Sequence, residues 1–222
     1  MNPKKLMRIR LINWHYFVNE TISVQGSFLV SGENTSGKST LLDAIQLVLT
    51  TNTKKFNTAA YEKSSRDLRG YVRCKTGNED STYIRQGSVI TYVALEFYEE
   101  KSSRHFTLGA KIDSPDEDSS LSTRWFCEEC RLEDLTFLTG SRPSIVDEFY
   151  IGNTKVKLIQ QHYEARNRFS RRLGNLEDRF FDMIPKSLAF KPMDDVKAFI
   201  NRFILAEKQI EVATLRSNIA AL

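Results

Sequence analysis

The chain has 222 residues, of which 41% are hydrophobic and 27% are charged, and its formal net charge is +4. These values are typical of a soluble globular protein and argue against a disordered chain, a collagen and a disulfide scaffold; the small positive charge permits a nucleic-acid partner without requiring one. Because no apolar run approaches the ~18–20 residues of a membrane span, no apolar signal segment follows the basic start, and the cysteines are few, we expect a cytoplasmic protein.

The predicted elements begin with two strands. Apolar and basic side chains alternate over residues 6–12, which is the period of a strand, and a second strand is predicted around 21–24. Residues 28–30 are a short apolar run, which predicts a strand buried at the centre of a sheet. A helix is predicted at 39–49, because an apolar stripe is formed there by Leu41, Leu42, Ile45 and Leu49.

The middle of the chain predicts a loop region and a pair of strands. Residues 50–87 lack periodicity and predict a long functional loop. Alternation returns at 89–98 and 105–112, which predicts two strands joined by a polar hairpin tip. The acidic stretch at 113–122 predicts a surface loop.

The last part of the chain predicts a hairpin and two helices. The hairpin is expected at 148–158, with Gly152 and Asn153 at its turn. A helix is expected at 194–205. The spacing beyond it is that of a coiled-coil seam, and an ordinary amphipathic helix is the alternative; the seam residues are Val212, Leu215, Ile219 and Leu222.

A phosphate-binding motif follows the apolar run at 28–30. The pattern G-x-x-x-x-G-K-[ST] is the Walker A motif, formed here by Gly32, Glu33, Asn34, Thr35, Ser36, Gly37, Lys38 and Ser39. Glycines let the backbone wrap around a phosphate, and the positive end of the following helix faces the same anion. We expect Lys38 to reach the β- and γ-phosphates, Ser39 to offer its hydroxyl to Mg²⁺, and Thr40 to support the loop from behind.

The Walker A motif alone does not choose among kinases, GTPases, helicases and transporters. Here two antiparallel-looking strands precede the loop, whereas a GTPase or nucleotide kinase usually places the loop after its first strand. Several segments resemble the N-terminal head segment of SMC-type ATPases, and most nearly the MukB-like condensins and the SMC-like JetC subunits of Wadjet plasmid-defence systems. These segments are LINWHYF at 11–17, GENTSGKSTLLDAI at 32–45, SRDLRGYV at 65–72 and SLAFKPMDDVK at 187–197.

This resemblance implies an α/β fold and a split head. Residues 1–205 would form the N-terminal lobe of an SMC/ABC-type P-loop ATPase head with a mixed sheet, and 206–222 would start a coiled-coil arm. In such heads the C-terminal half supplies the signature motif and Walker B. The chain would therefore bind ATP and Mg²⁺ but be inactive alone.

The resemblance also implies partners and a function. The implied partners are a second head in a homodimer, the C-terminal half of the head, kleisin and accessory subunits, double-stranded DNA and a nuclease subunit, in a bacterial cytoplasm and without a membrane. ATP binding would close the dimer, and hydrolysis would drive DNA loop extrusion in defence against plasmids. The alternatives are a nuclease-associated DNA-repair ATPase of the SMC type and an ATP-gated interaction module without turnover of its own.

Residues outside the motif also acquire expected roles from the resemblance. Arg69 matches an SMC-type arginine that approaches the nucleotide, with a solvated loop arginine as the alternative. Asn13 and Trp14 belong to a loop that lies near adenine in related heads, where Trp14 or Tyr16 would stack on the base; core packing of Trp14 is the alternative. DNA contacts are expected in the basic region 54–75, which could also be a solvated loop, from Lys54, Lys55, Lys63, Arg66 and Arg73.

Further signals are weaker. Ile145 to Glu148 mimic the end of a Walker B strand, but Pro143 and Ser144 cut the apolar run short, so a Walker B role is not expected. The segment expected to hold a glutamine loop contains no glutamine, which leaves the metal shell to Asp194, Asp195 or the earlier Gln86.

Two side-chain clusters are expected to be incidental. Cys127 and Cys130 lack the second pair of ligands that zinc needs, so reduced thiols are expected. The arginines between 166 and 172 are expected on a solvated helix face or on a kleisin-side surface.

Overall fold

The computed structural model describes residues 3–24, 27–33, 36–54, 56, 67–76 and 82–188. Its two compact units are Met1–Ala189 and Phe190–Leu222, and the second lies wholly outside the described residues. The predicted helix at 194–205, the predicted arm at 206–222 and the candidate metal ligands Asp194 and Asp195 lie outside them as well.

In chain order, the elements are β1 (Lys4–Trp14), β2 (Phe17–Ser23), α1 (Lys38–Thr50), α2 (Leu68–Arg73), β3 (Lys75–Thr76), β4 (Thr82–Tyr83), β5 (Val89–Glu99), β6 (Arg104–Ser114), β7 (Ser122–Glu128), β8 (Leu138–Thr139), β9 (Arg142–Pro143), β10 (Tyr150–Ile151), β11 (Thr154–Lys155), α3 (His162–Leu173) and α4 (Asp178–Leu188). Among the described residues, the main sheet has five strands in the order β2-β1-β5-β6-β7, each antiparallel to its neighbour. The short strands form three separate two-stranded ladders. The fold is therefore a mixed α/β arrangement built mainly on an antiparallel sheet.

Several predicted elements are confirmed. The strands predicted at 6–12, 89–98 and 105–112 are β1, β5 and β6, each slightly longer than predicted. The strand predicted around 21–24 begins earlier, as β2. The predicted helix at 39–49 is α1, and the predicted hairpin at 148–158 is formed by β10 and β11.

The sheet separates two hydrophobic cores, because side chains alternate between its faces. On β5, Val93 and Leu95 belong to one core, while Tyr92 and Ala94 belong to the other. The first core contains residues of α1, α2 and α3. The second core is completed by residues from the segment 130–156. Within the first core lie the elements that hold the Walker A loop.

The buried face of α1 differs from the predicted stripe. Ala44, Leu47 and Val48 are fully buried, and Leu41 is the one member of the predicted stripe that is buried with them. The half-buried members are Leu42, Ile45 and Leu49. The buried side also contains the polar Asp43, whose carboxylate accepts a hydrogen bond from the Tyr71 hydroxyl.

The prediction of a central strand at 28–30 is wrong. These residues form no strand, and Leu29 is 89% exposed. An apolar run is buried at the centre of a sheet only when strands flank it on both sides. None of the described strands pairs with it, and every strand pair in the described part of the chain is antiparallel, so the predicted mixed sheet is not present there.

The predicted loop at 50–87 is wrong over part of its length. Residues 68–76 form α2 and the strand β3, and α2 begins at Leu68 because the Asp67 carboxylate accepts from the N–H of Gly70 at 2.8 Å.

Within the described ranges, no helix is both long enough and apolar enough to cross a membrane.

Candidate nucleotide-binding site

The described part of the Walker A loop has the backbone shape that its glycines allow. Gly37 has φ +90°, a left-handed conformation that L side chains rarely adopt, and directly precedes α1. At Gly32, an added Cβ would lie 2.8 Å from the Ser36 hydroxyl oxygen, so a larger residue would require the Ser36 side chain or the loop to shift. The Ser36 N–H donates to the carbonyl of Glu33 at 3.3 Å and closes a turn. Asn34 and Thr35 lie outside the described residues.

The side chain of Lys38 folds back across this loop. Its Nζ donates to the carbonyl of Gly32 at 2.7 Å and to the carbonyl of Glu33 at 2.5 Å. A lysine ammonium has three donor protons and accepts nothing, so it is suited to bind oxygen atoms of an anion held by the same loop. The neighbouring Ser39 is exposed, which leaves its hydroxyl accessible at the start of α1.

The N-terminus of α1 is electrostatically open. The first turn contains no acidic residue, and in the described part of the chain no side chain caps it. The first N–H groups of a helix have no acceptor within the helix, and they carry the positive end of its dipole. Together with Lys38, this end makes the loop suited to a phosphate group.

Buried contacts hold α1 beneath the loop. Thr40 is 3% exposed, and its carbonyl accepts from the indole Nε1 of Trp14 at 2.8 Å. Trp14 in turn stacks on Tyr71, with ring centroids 4.5 Å apart and an interplanar angle of 5°. The Tyr71 hydroxyl donates to the carboxylate of Asp43, one helical turn into α1. Thr40 is thus packed in the core at the start of α1, and its expected support of the loop stays a prediction.

Two residues of the candidate base-binding loop serve the core instead. Trp14 has no exposed surface, so its ring cannot stack on a base, and core packing is the correct interpretation. Asn13 uses its side-chain amide to donate to the carbonyl of Ile90 at 2.9 Å, next to the sheet. The ring that this loop does expose is Tyr16, at 62%.

Arg69 lies on α2 and is held by the acidic loop that follows β6. Its Nη2 donates to the carbonyl of Ser119 at 2.9 Å and to that of Asp118 at 3.4 Å. Nη1 is buried and has no hydrogen-bond partner within the described ranges. The side chain is therefore anchored by one nitrogen, and an approach to a nucleotide stays a prediction.

The expected DNA contact of Arg73 is wrong. Arg73 is fully buried, and its guanidinium donates to Ser114 Oγ at 2.9 Å and to the carbonyl of Gly87 at 2.8 Å. A buried guanidinium surrounded by carbonyl groups holds the chain together and cannot reach DNA. Lys54 is exposed, whereas Lys55, Lys63 and Arg66 lie outside the described residues.

The segment that mimics Walker B is not a strand. Val146–Glu148 is a single 3-10 turn, and Glu148 pairs with Arg142 at 2.5 Å. Asp147 pairs with Lys155. Both carboxylates are engaged in ion pairs, and the absence of a Walker B role stays a prediction.

The two cysteines of the C-x-x-C pair belong to different cores. Cys127 faces the first core and Cys130 the second. Both are free cysteines, as is Cys74. Burial raises the pKa of Cys127 to about 11 and that of Cys130 to about 12. Within the described ranges, no group of three or more metal-binding side chains occurs.

The arginines between 166 and 172 are not simply solvated. Arg172 pairs with Glu129 at 2.5 Å, and its guanidinium lies 3.8 Å from the centre of the Phe106 ring. Arg168 donates to the carbonyl of Cys127 at 2.9 Å. The predicted solvated face is wrong for these two residues, because they fasten α3 to the sheet.

Tyr71 and Asp43 were not singled out from the sequence, although they form a buried side-chain hydrogen bond between α2 and α1. No local pattern links them, since they are separated by 28 residues and their pairing depends on how α2 packs. Tyr71 does belong to the SRDLRGYV segment, and this is the only sequence signal that pointed to it.

Comparison with known proteins agrees with this geometry. A family model described as the P-loop containing region of AAA domain matches residues 6–63, which include most of β1 together with β2, the Walker A loop and α1. The chain matches none of the curated proteins with which it was compared. Residues 6–63 are therefore similar to the P-loop region of AAA-type domains, and nucleotide binding through this loop is the function that the match indicates.

Proposed function

We propose that the chain binds ATP with Mg²⁺ through the Walker A loop. The observation that carries this proposal is the position of Lys38, whose Nζ lies on the carbonyls of Gly32 and Glu33, directly before the open N-terminus of α1. Two kinds of donor thus meet at one short loop: the uncapped N–H groups at the start of α1 and the ammonium of Lys38.

The residues present fit the nucleotide. Gly32 and Gly37 leave room for the backbone to approach a phosphate, because a Cβ at the first would contact Ser36 and at the second would be strained by the positive φ. Lys38 would hold the β- and γ-phosphates, and the exposed Ser39 hydroxyl would be a ligand to Mg²⁺. When bound, Mg²⁺ supplies charge neutralisation at the phosphates.

We further propose that the chain is the N-terminal half of the head of an SMC-like condensin of the MukB or JetC type. The supporting observations are the antiparallel pair of strands β1 and β2, which precedes the loop in sequence, and the exposed apolar residues at 28–30. Leu29 at 89% exposure and Phe28 at 40% form an apolar surface that further strands would cover. The C-terminal half of the head is the partner expected there.

In this proposal the chain contributes binding and the other half contributes chemistry. A second head would close over the nucleotide, and the cycle would drive movement on DNA with kleisin, accessory and nuclease subunits. The ion pairs of Glu148 with Arg142 and of Asp147 with Lys155 support this division, since they occupy both carboxylates of the segment that resembled the end of a Walker B strand. The same observation keeps an ATP-gated interaction module without turnover as a second candidate; a nuclease-associated DNA-repair ATPase would use the same site.

The test is the affinity of the chain for MgATP, measured by calorimetry, for the wild type, Lys38→Ala and the control Lys157→Ala. Lys157 is exposed and has no role in the loop. Binding that is lost in Lys38→Ala and kept in the control would support the proposal. Equal binding by all three chains, or none by the wild type, would overturn it.

A further inference from the structure

Three segments of the chain meet around Tyr71 of α2. Its ring stacks on Trp14 at the end of β1, and its hydroxyl donates to the carboxylate of Asp43 on α1. Its carbonyl accepts from the N–H of His15 at 2.7 Å, in the turn between β1 and β2. Because the Tyr71 side chain is 1% exposed, none of these contacts is shared with bulk water. One residue thus contacts both the Walker A helix and the β1–β2 turn.

The β1–β2 turn lies beside the Walker A loop and presents an aromatic ring. A Cβ added at Gly37 would lie 3.4 Å from the ring of Phe17, which places the turn against the start of α1. The preceding ring, Tyr16, is exposed and meets the His15 ring edge to face, with centroids 4.5 Å apart. The His15 ring in turn lies 5.9 Å from that of Tyr71. A continuous series of ring contacts therefore connects Tyr16 to Tyr71.

The bond from Tyr71 to Asp43 joins this series to the Walker A helix. Asp43 is 3% exposed, and a carboxylate that is buried to this extent requires donors. A hydrogen bond to a carboxylate is stronger than one between neutral groups and depends on distance and direction. The separation of α1 from the β1–β2 turn is therefore sensitive to this hydroxyl.

The geometry points to Tyr71 as a positioning residue. It sets the distance between the Walker A loop and the exposed ring of Tyr16. This distance determines how well the chain binds the base of a nucleotide whose phosphates lie in the loop. This inference rests on the proposed nucleotide binding and on the expected stacking of the exposed Tyr16 ring on the base. It assigns Tyr71 no direct contact with the nucleotide: the residue acts through Asp43 on one side and through His15 and Tyr16 on the other.

The experiment compares two ligands that share a phosphate tail, MgATP and magnesium-bound inorganic tripolyphosphate. Tyr71→Phe removes one hydroxyl and keeps the ring stacked on Trp14. ATP affinity is expected to fall by about fivefold or more, the low end of measured couplings between sites, with tripolyphosphate affinity unchanged. The control is Tyr163→Phe, on α3, where the ring is 68% exposed and both affinities should stay as in the wild type.

A double-mutant cycle with Tyr16→Ala separates positioning from general support of the fold. If Tyr71 acts through Tyr16, adding Tyr71→Phe to Tyr16→Ala causes no further loss of ATP affinity. Asp43→Asn, which keeps an acceptor for the hydroxyl, is expected to retain more ATP affinity than Asp43→Ala. Thermal unfolding of each variant shows whether it is folded.

Two results would overturn the inference while leaving nucleotide binding intact. One is an equal loss of ATP and tripolyphosphate affinity in Tyr71→Phe, which would place the defect in the Walker A loop itself. The other is additive losses in the double mutant. Failure of the wild-type chain to bind either ligand would instead overturn the proposed function.

Discussion

The indole Nε1 of Trp14 donates to the carbonyl of Thr40 across 2.8 Å and so fastens the last residue of β1 to the first turn of α1. The bond is buried at both ends. It explains why a tryptophan stands next to the candidate base-binding turn without contacting solvent: the side chain sets the position of the Walker A helix against the sheet.

Replacing Trp14 with phenylalanine should weaken both the fold and nucleotide binding. The change removes the hydrogen bond to Thr40 and leaves a small cavity, so the free energy of unfolding should fall by about 2–3 kcal/mol. Urea unfolding and MgATP titration measure the two effects. The matched control is Trp125→Phe, because Trp125 is equally buried but packs on Phe169 of α3. This variant should have a lower free energy of unfolding and an unchanged nucleotide affinity. Unchanged nucleotide affinity in folded Trp14→Phe would contradict this role.

Gly109 on β6 lies directly beneath the ring of Phe126 on β7, its register partner. A Cβ at this position would come within 2.2 Å of the ring, so Gly109→Ala should lower the free energy of unfolding by about 3 kcal/mol. Gly140→Ala is the control, since a Cβ there meets no atom within 4 Å and only its positive φ opposes the change, at a cost of about 1 kcal/mol. Equal losses in urea unfolding would show that the ring moves aside at no cost.

Arg73 should behave as a structural residue in every assay. Its removal leaves the carbonyls of Arg85 and Gly87 and the hydroxyl of Ser114 without their buried donor. Arg73→Ala should therefore lower the free energy of unfolding by about 3 kcal/mol or more, whereas the exposed Lys54→Ala should change it by about 0.5 kcal/mol or less. A stable Arg73→Ala chain with weakened DNA binding would restore the DNA-contact interpretation.

The thiols of Cys127 and Cys130 should resist alkylation in the folded protein. Burial raises the pKa of both, to about 11 and about 12, so almost no reactive thiolate exists at pH 8. Iodoacetamide labelling should be slow in buffer and fast in urea. Since unfolded thiols ionise near their ordinary pKa and folded ones do not, these groups also lower stability as the pH rises from about 8.5 to the folded values. Rapid labelling of the native protein would contradict this assignment.

The sequence predicted those elements whose signal lies within a short stretch of residues. The strands at 6–12, 89–98 and 105–112 were predictable because each alternates apolar and polar side chains along its own length. The Walker A motif was predictable because its glycines and Lys38 are fixed by spacing alone. The absence of a strand at 28–30 was not predictable, since an apolar run does not reveal whether strands flank it.

The structural roles of single buried residues depended on distant partners. Arg73 looked like part of a basic surface, and only the packing of β6 brings Ser114 to it across 41 residues. The core position of Trp14 likewise depends on Thr40 and Tyr71, which come from two later helices. Such contacts cannot be predicted from composition or residue spacing, because they form only when the sheet and helices pack together.

The most direct test of the proposed half-head is ATP turnover by this chain mixed with the C-terminal half of the head, with and without double-stranded DNA. The proposal predicts turnover that requires both halves, disappears in Lys38→Ala and increases with DNA. Nucleotide binding without turnover in the complete mixture would favour the gated interaction module. Turnover that is independent of this chain or of Lys38 would contradict the assignment of the Walker A loop as the site of ATP binding.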